Sequence, residues 1–160
     1  MKKINFSSQA IIYDDVSELS IEDQNMIKEA NIAKETSYAP YSQFNVGAAI
    51  LLENGVVIHG SNQESAAYPS GMCAERVAVW KAGSEYPNVK ILKLAIVASS
   101  KNTKVDKPVG PCGACRQTLL DYEVNQKASF EVIFMGEVGK VIKTESLVSL
   151  LPFSFDSSYL

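Results

Sequence analysis

Residues 70–80 read SGMCAERVAVW, and residues 110–120 read GPCGACRQTLL. Between them these two stretches hold all three cysteines of the chain. Each places its first thiol where a helix is expected to open. A helix N-terminus presents unpaired N–H groups and the positive end of a dipole, which favours thiolate over thiol. Cys112 and Cys115 are spaced so that one turn of backbone aims both sulfurs at one point. Cys73, at the head of another helix, would supply a third. Zinc suits such a thiolate set, being tetrahedral and redox-inert. Three protein ligands leave a fourth position for water, as in catalytic rather than structural zinc sites. Glu75, two residues from Cys73, is placed to move that water's proton. His59, the chain's lone histidine, falls in a hairpin without ligand-type spacing to any cysteine. Taken alone, C-x-x-C also fits a redox pair or part of a closed structural site. The redox reading leaves Cys73 and Glu75 without a role, and the closed site lacks an evident fourth ligand.

Working outward, SIEDQNMIKEANIAKETS reads as an amphipathic helix. Ser20 caps it, Glu22 and Asp23 suit its N-terminal end, and Ile27, Ala30, Ile32 and Ala33 form its stripe. Pro40 is expected to stop it. FNVGAAILLENGVVIHGSN reads as a β-hairpin with a type I′ turn at Asn54-Gly55. CAERVAVWKAG is a helix ending at Gly83, KILKLAIVASS a buried strand, and CGACRQTLLDYE a second helix. SFEVIFM and GKVIKT form a strand pair around Gly136, and ESLVSLL a closing helix. The first nineteen residues alternate loosely enough to add a strand. The order predicts a three-layer α/β/α sandwich, with a mixed central sheet of about five strands and one domain across residues 1–160.

Composition narrows the class further. With 46% hydrophobic and 21% charged residues, the chain reads as a globular protein. No apolar run is long enough to span a bilayer. The N-terminus lacks the apolar core of a secretory signal, so a cytoplasmic location without a membrane partner is expected. An odd cysteine count argues against a disulfide framework. A net charge of −3 with no basic stretch disfavours a nucleic-acid partner and leaves room for a small ligand.

The cysteine motifs, CAE followed by PCGAC, resemble those of the zinc-dependent cytidine deaminases, in the version where cysteine replaces the first histidine. The likeness extends to YAPYSQFNVGAAI (38–50), GSNQESAAYPSGMCAER (60–76) and LLPFSF (150–155), so it covers the chain from about Tyr38 onward. The resemblance implies that Cys73, Cys112 and Cys115 hold one zinc ion and that Glu75 is the proton shuttle. It implies that Asn62 and Glu64 hydrogen-bond the ribose, that Phe44 lines the base pocket, and that Ala74 offers backbone groups to the cytosine edge. Phe155 resembles a tail phenylalanine that stacks over the base from a neighbouring subunit. Tyr68 resembles a residue at a shared subunit boundary, and together these imply a homotetramer.

Arg76 raises a separate electrostatic question. Three thiolates around Zn²⁺ carry a net charge of about −1, and an arginine donating to sulfur would offset it. Read without the resemblance, Arg76 and Arg116 also fit surface ion pairs. Ser65 and Ala67 depart from the family's usual asparagine and cysteine, and Ser65 bears on how the loop carrying Glu64 is held. The implied activity is hydrolysis of cytidine and 2′-deoxycytidine to uridine and 2′-deoxyuridine, a pyrimidine-salvage reaction. The alternatives are a deaminase of another aminopyrimidine nucleoside such as blasticidin S, and a noncatalytic zinc or redox module. The extension formed by residues 1–19 has no assigned role.

Overall fold

The computed structural model describes residues 1–160. Strand β1 (Ile11–Tyr13) is followed by helix α1 (Ile21–Lys34), the hairpin β2 (Phe44–Leu52) and β3 (Val57–Ser61), then helix α2 (Ala74–Glu85). Strand β4 (Ile91–Ser100), helix α3 (Gly113–Gln126), and strands β5 (Glu131–Met135) and β6 (Val141–Thr144) complete the core. The sheet order is β1-β6-β5-β4-β2-β3. Only β4 and β5 pair in parallel, joined by the crossover through α3.

The strands alternate with period two, so each sends residues to both faces. Ile50, Leu94, Ile96, Val132 and Phe134 pack beneath α2 and α3. Ala49, Ala95, Val97, Ile133 and Met135 pack beneath α1 with Met26, Ile27 and Ala30. Helices therefore cover both faces of a mixed sheet, as the order of elements implied. The sheet has six strands rather than about five, because the N-terminal segment does add one: β1 pairs antiparallel with β6 through Ile11–Lys143, Ile12–Ile142 and Tyr13–Val141.

Local details depart from expectation for identifiable reasons. Helix α1 ends at Lys34, ahead of Pro40, because the Thr36 and Ser37 hydroxyls donate to the Ala33 and Lys34 carbonyls. Ile32 lies outside the buried stripe at 48% exposure, and Met26 and Asp23 take its place. The hairpin turn is not type I′, since of the expected central pair Asn54-Gly55 only Gly55 has positive φ, at 83°. Leu52 C=O accepts from Gly55 N–H and Leu52 N–H donates to Val56 C=O, the pattern of a turn closed by one left-handed glycine. Helix α2 runs through Gly83 to Glu85. A Cβ at Gly83 would lie 2.6 Å from Tyr122 Oη of α3, so the glycine serves helix contact rather than helix termination. The closing helix is a single 3-10 turn, Leu147–Leu150.

Beneath the start of α1 lies a ring of four charges. Lys93 of β4 contacts Asp23 Oδ1 at 2.5 Å and Lys143 of β6 contacts Asp23 Oδ2 at 2.8 Å. Both lysines also reach Glu131 of β5 at 2.8 Å. The Lys93–Glu131 contact is an ion pair without hydrogen-bond alignment, because Glu131 Oε2 has no hydrogen-bond partner. Asp23 is 2% exposed. Burial alone would push its carboxyl up, but hydrogen bonds from Lys143 and Lys93 hold it below the usual carboxylate range. Glu131 is lowered in the same way, burial being outweighed by Lys143 and Lys93.

Carboxyls lowered on folding contribute stability that is complete above their unfolded values, near pH 4, and is lost as pH falls through the folded ones. Chemical denaturation from pH 6 down to pH 3 is expected to show a loss of stability below about pH 4. Asp23→Ala leaves two largely buried ammonium groups with Glu131 as the carboxylate they share and is expected to cost about 3 kcal/mol at neutral pH. The acid-induced loss in that variant should be smaller than in the parent.

Candidate active site

Cys73 is the N-cap of α2 and Cys112 the N-cap of α3. At that position Ser, Thr, Asp or Asn usually bonds the free N–H groups. Here neither thiol makes a capping bond, so both sulfurs are free to turn outward. Cys115 stands in the first turn of α3 and is fully buried. Cys73 Sγ lies 3.8 Å from Cys112 Sγ, and Cys112 Sγ 3.5 Å from Cys115 Sγ. All three sulfurs fall within 4.8 Å of one another. A tetrahedral ion with metal–sulfur bonds of about 2.3 Å requires sulfur–sulfur edges of about 3.8 Å. The donor set therefore fits zinc in both chemistry and spacing. The cysteines are free thiols, and Cys73 joins the C-x-x-C pair as a third sulfur that a redox pair does not use. His59 faces the other side of the sheet, paired in register with Ala49 of the α1-side core. Its Nε2 is 2.7 Å from Glu29 Oε2 of α1, which removes it from the cluster.

The thiols share protons unequally. A hydrogen bond from Cys115 lowers the Cys73 thiol, burial opposes, and Arg76 and Cys112 add to the lowering, bringing it down to about 5. Cys115 is pushed up correspondingly, first by its bond to Cys73 and then by burial. Arg76 Nη2 donates to Cys73 Sγ at 3.6 Å. Its guanidinium also lies over the Trp80 ring, 5.9 Å from the centroid. Arg76 thus meets a ligand sulfur rather than a surface carboxylate. Glu75, in the first turn of α2, is 5% exposed. Burial above all pushes its carboxyl up, and the neighbouring Cys73 charge adds to this.

Helix α2 reaches this position because Gly60 of β3 has no side chain. A Cβ there would lie 2.4 Å from Ala74 O and 2.5 Å from Ala78 N. No substitution fits without lifting the helix that carries Cys73 and Glu75. Sequence reasoning passed over Gly60, although a glycine inside a strand is itself a sign of close backbone approach.

In front of the sulfurs opens a cavity of about 640 Å³. Phe44, Asn62, Glu64, Tyr68, Ala74 and Glu75 all line it. Asn62 is tied to the start of β2: its Oδ1 accepts from Val46 N–H at 2.8 Å and its Nδ2 donates to Phe44 O at 2.9 Å. One N–H of that amide remains uncommitted. Glu64 Oε2 accepts from the Tyr41 and Ser42 amides at 2.9 and 3.2 Å. Hydrogen bonding led by Ser42 holds its carboxyl below the usual range. Ser65 Oγ accepts from Ala67 N–H at 3.2 Å, so the loop after Glu64 is closed locally. Tyr68, 77% exposed, meets Tyr41 edge-on at the rim, 6.3 Å between centroids. Among the expected substrate contacts, Phe155 is the one that its own chain does not bring to the cavity. Its ring is exposed and stacks on Tyr159, and its carbonyl accepts from Gln117 Nε2 at 2.8 Å. Arg116 makes no surface ion pair. Its Nε and Nη1 donate to the Pro111 and Leu150 carbonyls at 2.7 and 2.9 Å.

With this geometry in place, comparison with known proteins is informative. A family model of the cytidine and deoxycytidylate deaminase zinc-binding region matches residues 20–130. A cytidine deaminase of Halalkalibacterium halodurans is 41% identical over 133 residues, covering 82% of this chain and 92% of that protein. One of Sporosarcina psychrophila is 39% identical over 138 residues, covering 86% and 93% respectively. The crystal structure of a cytidine deaminase from Burkholderia pseudomallei aligns with a TM-score of 0.72 at 36% identity, over 86% of this chain and all of that one.

Metal analysis of the purified protein is expected to find a single zinc ion per chain. Cys115→Ala, which removes the buried sulfur, should abolish stoichiometric zinc. Full zinc retention in that variant would take Cys115 out of the ligand set.

Proposed function

This chain belongs to the cytidine and deoxycytidylate deaminase family, and on that premise we propose that it hydrolyses the 4-amino group of cytidine and 2′-deoxycytidine, releasing ammonia and leaving uridine and 2′-deoxyuridine. The observation that carries this reading is the three-sulfur cluster at zinc spacing, beside a buried carboxyl and opening into a nucleoside-sized cavity. Zinc held by Cys73, Cys112 and Cys115 supplies Lewis acidity that lowers the pKa of water to about 7.

The chain's own residues do the rest. Glu75 takes a proton from the attacking water and passes it to N3 of the base, then takes the second proton from the hydroxyl now on C4 and delivers it to the amine as it leaves. Its upward-shifted carboxyl suits a group that must both accept and give protons near neutrality. Arg76 draws negative charge from Cys73. Phe44 forms an apolar wall for the ring, and the backbone at Ala74, the first residue of α2, faces the polar edge of the base. The uncommitted Asn62 N–H and the second carboxylate oxygen of Glu64 hold the ribose hydroxyls. Both side chains are preorganised by their bonds to β2 and to the Tyr41–Ser42 amides. Tyr68 and Phe155, exposed on this chain, form a boundary with other copies in a homotetramer whose sites are shared. Residues 1–160 act as one catalytic domain in cytoplasmic pyrimidine salvage. No helix is long and apolar enough to cross a membrane.

Ultraviolet-monitored assays should show conversion of cytidine and 2′-deoxycytidine. Preferential turnover of blasticidin S would reassign the substrate. Glu75→Gln is expected to retain zinc while losing at least about 10²-fold in kcat. Glu64→Gln should instead raise KM by roughly tenfold or more with zinc and Glu75 in place.

A further inference from the structure

The first nineteen residues precede the family match, which begins at residue 20, yet they contact the rest of the chain at several points. Strand β1 anchors them to β6. Upstream of β1 the segment crosses to the C-terminal tail. There Phe6 packs its ring on Phe153, 4.4 Å between centroids, and Ser8 Oγ donates to the Ser149 carbonyl. Phe153 has φ of 56°, a left-handed backbone that is unfavourable for a bulky side chain and persists only where its surroundings hold it. The clasped stretch is in turn tied to the active site. Arg116 joins the Leu150 carbonyl to the Pro111 carbonyl, and Pro111 directly precedes Cys112. Val109, Gly110 and Cys112 line the cavity.

We propose that the N-terminal extension is a strap that positions the active site: Phe6 and Ser8 hold residues 149–153, and through Arg116 these hold the cavity wall at Val109–Cys112. Phe6 is a positioning residue, not a catalytic one. The catalytic arm of the test rests on the deaminase reading above, while the structural arm does not. Both rings are largely exposed, Phe6 at 57% and Phe153 at 74%, so replacing either leaves the core intact.

The experiment compares the full-length parent with Phe6→Ala, Phe6→Tyr, Phe153→Ala and the Phe6→Ala/Phe153→Ala double variant. Amide hydrogen exchange over residues 147–155 is expected to rise in Phe6→Ala and to return toward the parent in Phe6→Tyr. KM for cytidine should rise about two- to tenfold, the range to which an aromatic pair's stabilisation corresponds, with zinc content unchanged and kcat changed less. The double variant should be no worse than either single one, as expected for two residues acting through one contact. Unchanged exchange in the tail, or faster exchange with unchanged KM, overturns the proposal. Additive effects in the double variant do the same. If the parent does not deaminate cytidine, the functional reading fails by itself, and tail exchange alone decides whether the strap exists.

Discussion

Two helices of this protein converge so that the sulfurs of their N-cap cysteines lie 3.8 Å apart, and their N-termini must stay there for the three sulfurs to meet. Each helix opens on a cysteine in the N-cap position, without the side-chain capping bond usual at such an end. The unpaired backbone donors then favour negative charge on the sulfurs instead. The convergence depends on backbone contact at Gly60 on one side and on the loop ending in Pro111 on the other. Once α2 and α3 are fixed, the ligands, the buried Glu75 carboxyl and the mouth of the cavity follow from short-range geometry.

The sheet distributes its tasks along its length. Phe44 pairs with Ser100 at the end where the cavity opens, while Leu51 pairs with Lys93 at the other end. There Asp23, Lys93, Glu131 and Lys143 join α1 to three strands through charge, in addition to its apolar packing on them. Such a ring is costly to desolvate and costly to break. It stands away from the cavity, so the charges that hold α1 to the sheet are separate from those that act on a substrate. Lys93 illustrates the balance: burial pulls its ammonium down, and the hydrogen bond to Asp23 together with the ion pair to Glu131 more than reverses the effect.

Much of this was legible in the residues. The metal cluster could be read because helix-opening positions and a C-x-x-C turn convert spacing directly into sulfur direction. The α/β/α layering could be read because helices fall between strands along the chain, which places helices on both faces of a mixed sheet. The lengths of α1 and α2 were less accessible. They depend on hydroxyls at Thr36 and Ser37 and on a tyrosine from a distant helix lying against Gly83, neither of which periodicity reports. The roles of Asn62 and Glu64 as braces for neighbouring backbone, and of Arg116 as a tie to Leu150, are likewise tertiary. The charge ring is the clearest case. Asp23 reads as a residue favourable to the dipole, and nothing local reveals that two lysines far along the chain will surround it.

That ring also bears on how the strands find their partners. Lys93 and Glu131 face each other across the parallel β4–β5 pair, and Lys143 lies opposite Ile133 on the next strand. Because side chains alternate between faces, a slip of one residue at either junction would swing an ammonium or a carboxylate into the apolar layer under α2 and α3. Mispaired sheets are thereby penalised in proportion to the charge they misplace. The three strand residues that hold Asp23 of α1 thus also favour a single alignment of β4, β5 and β6.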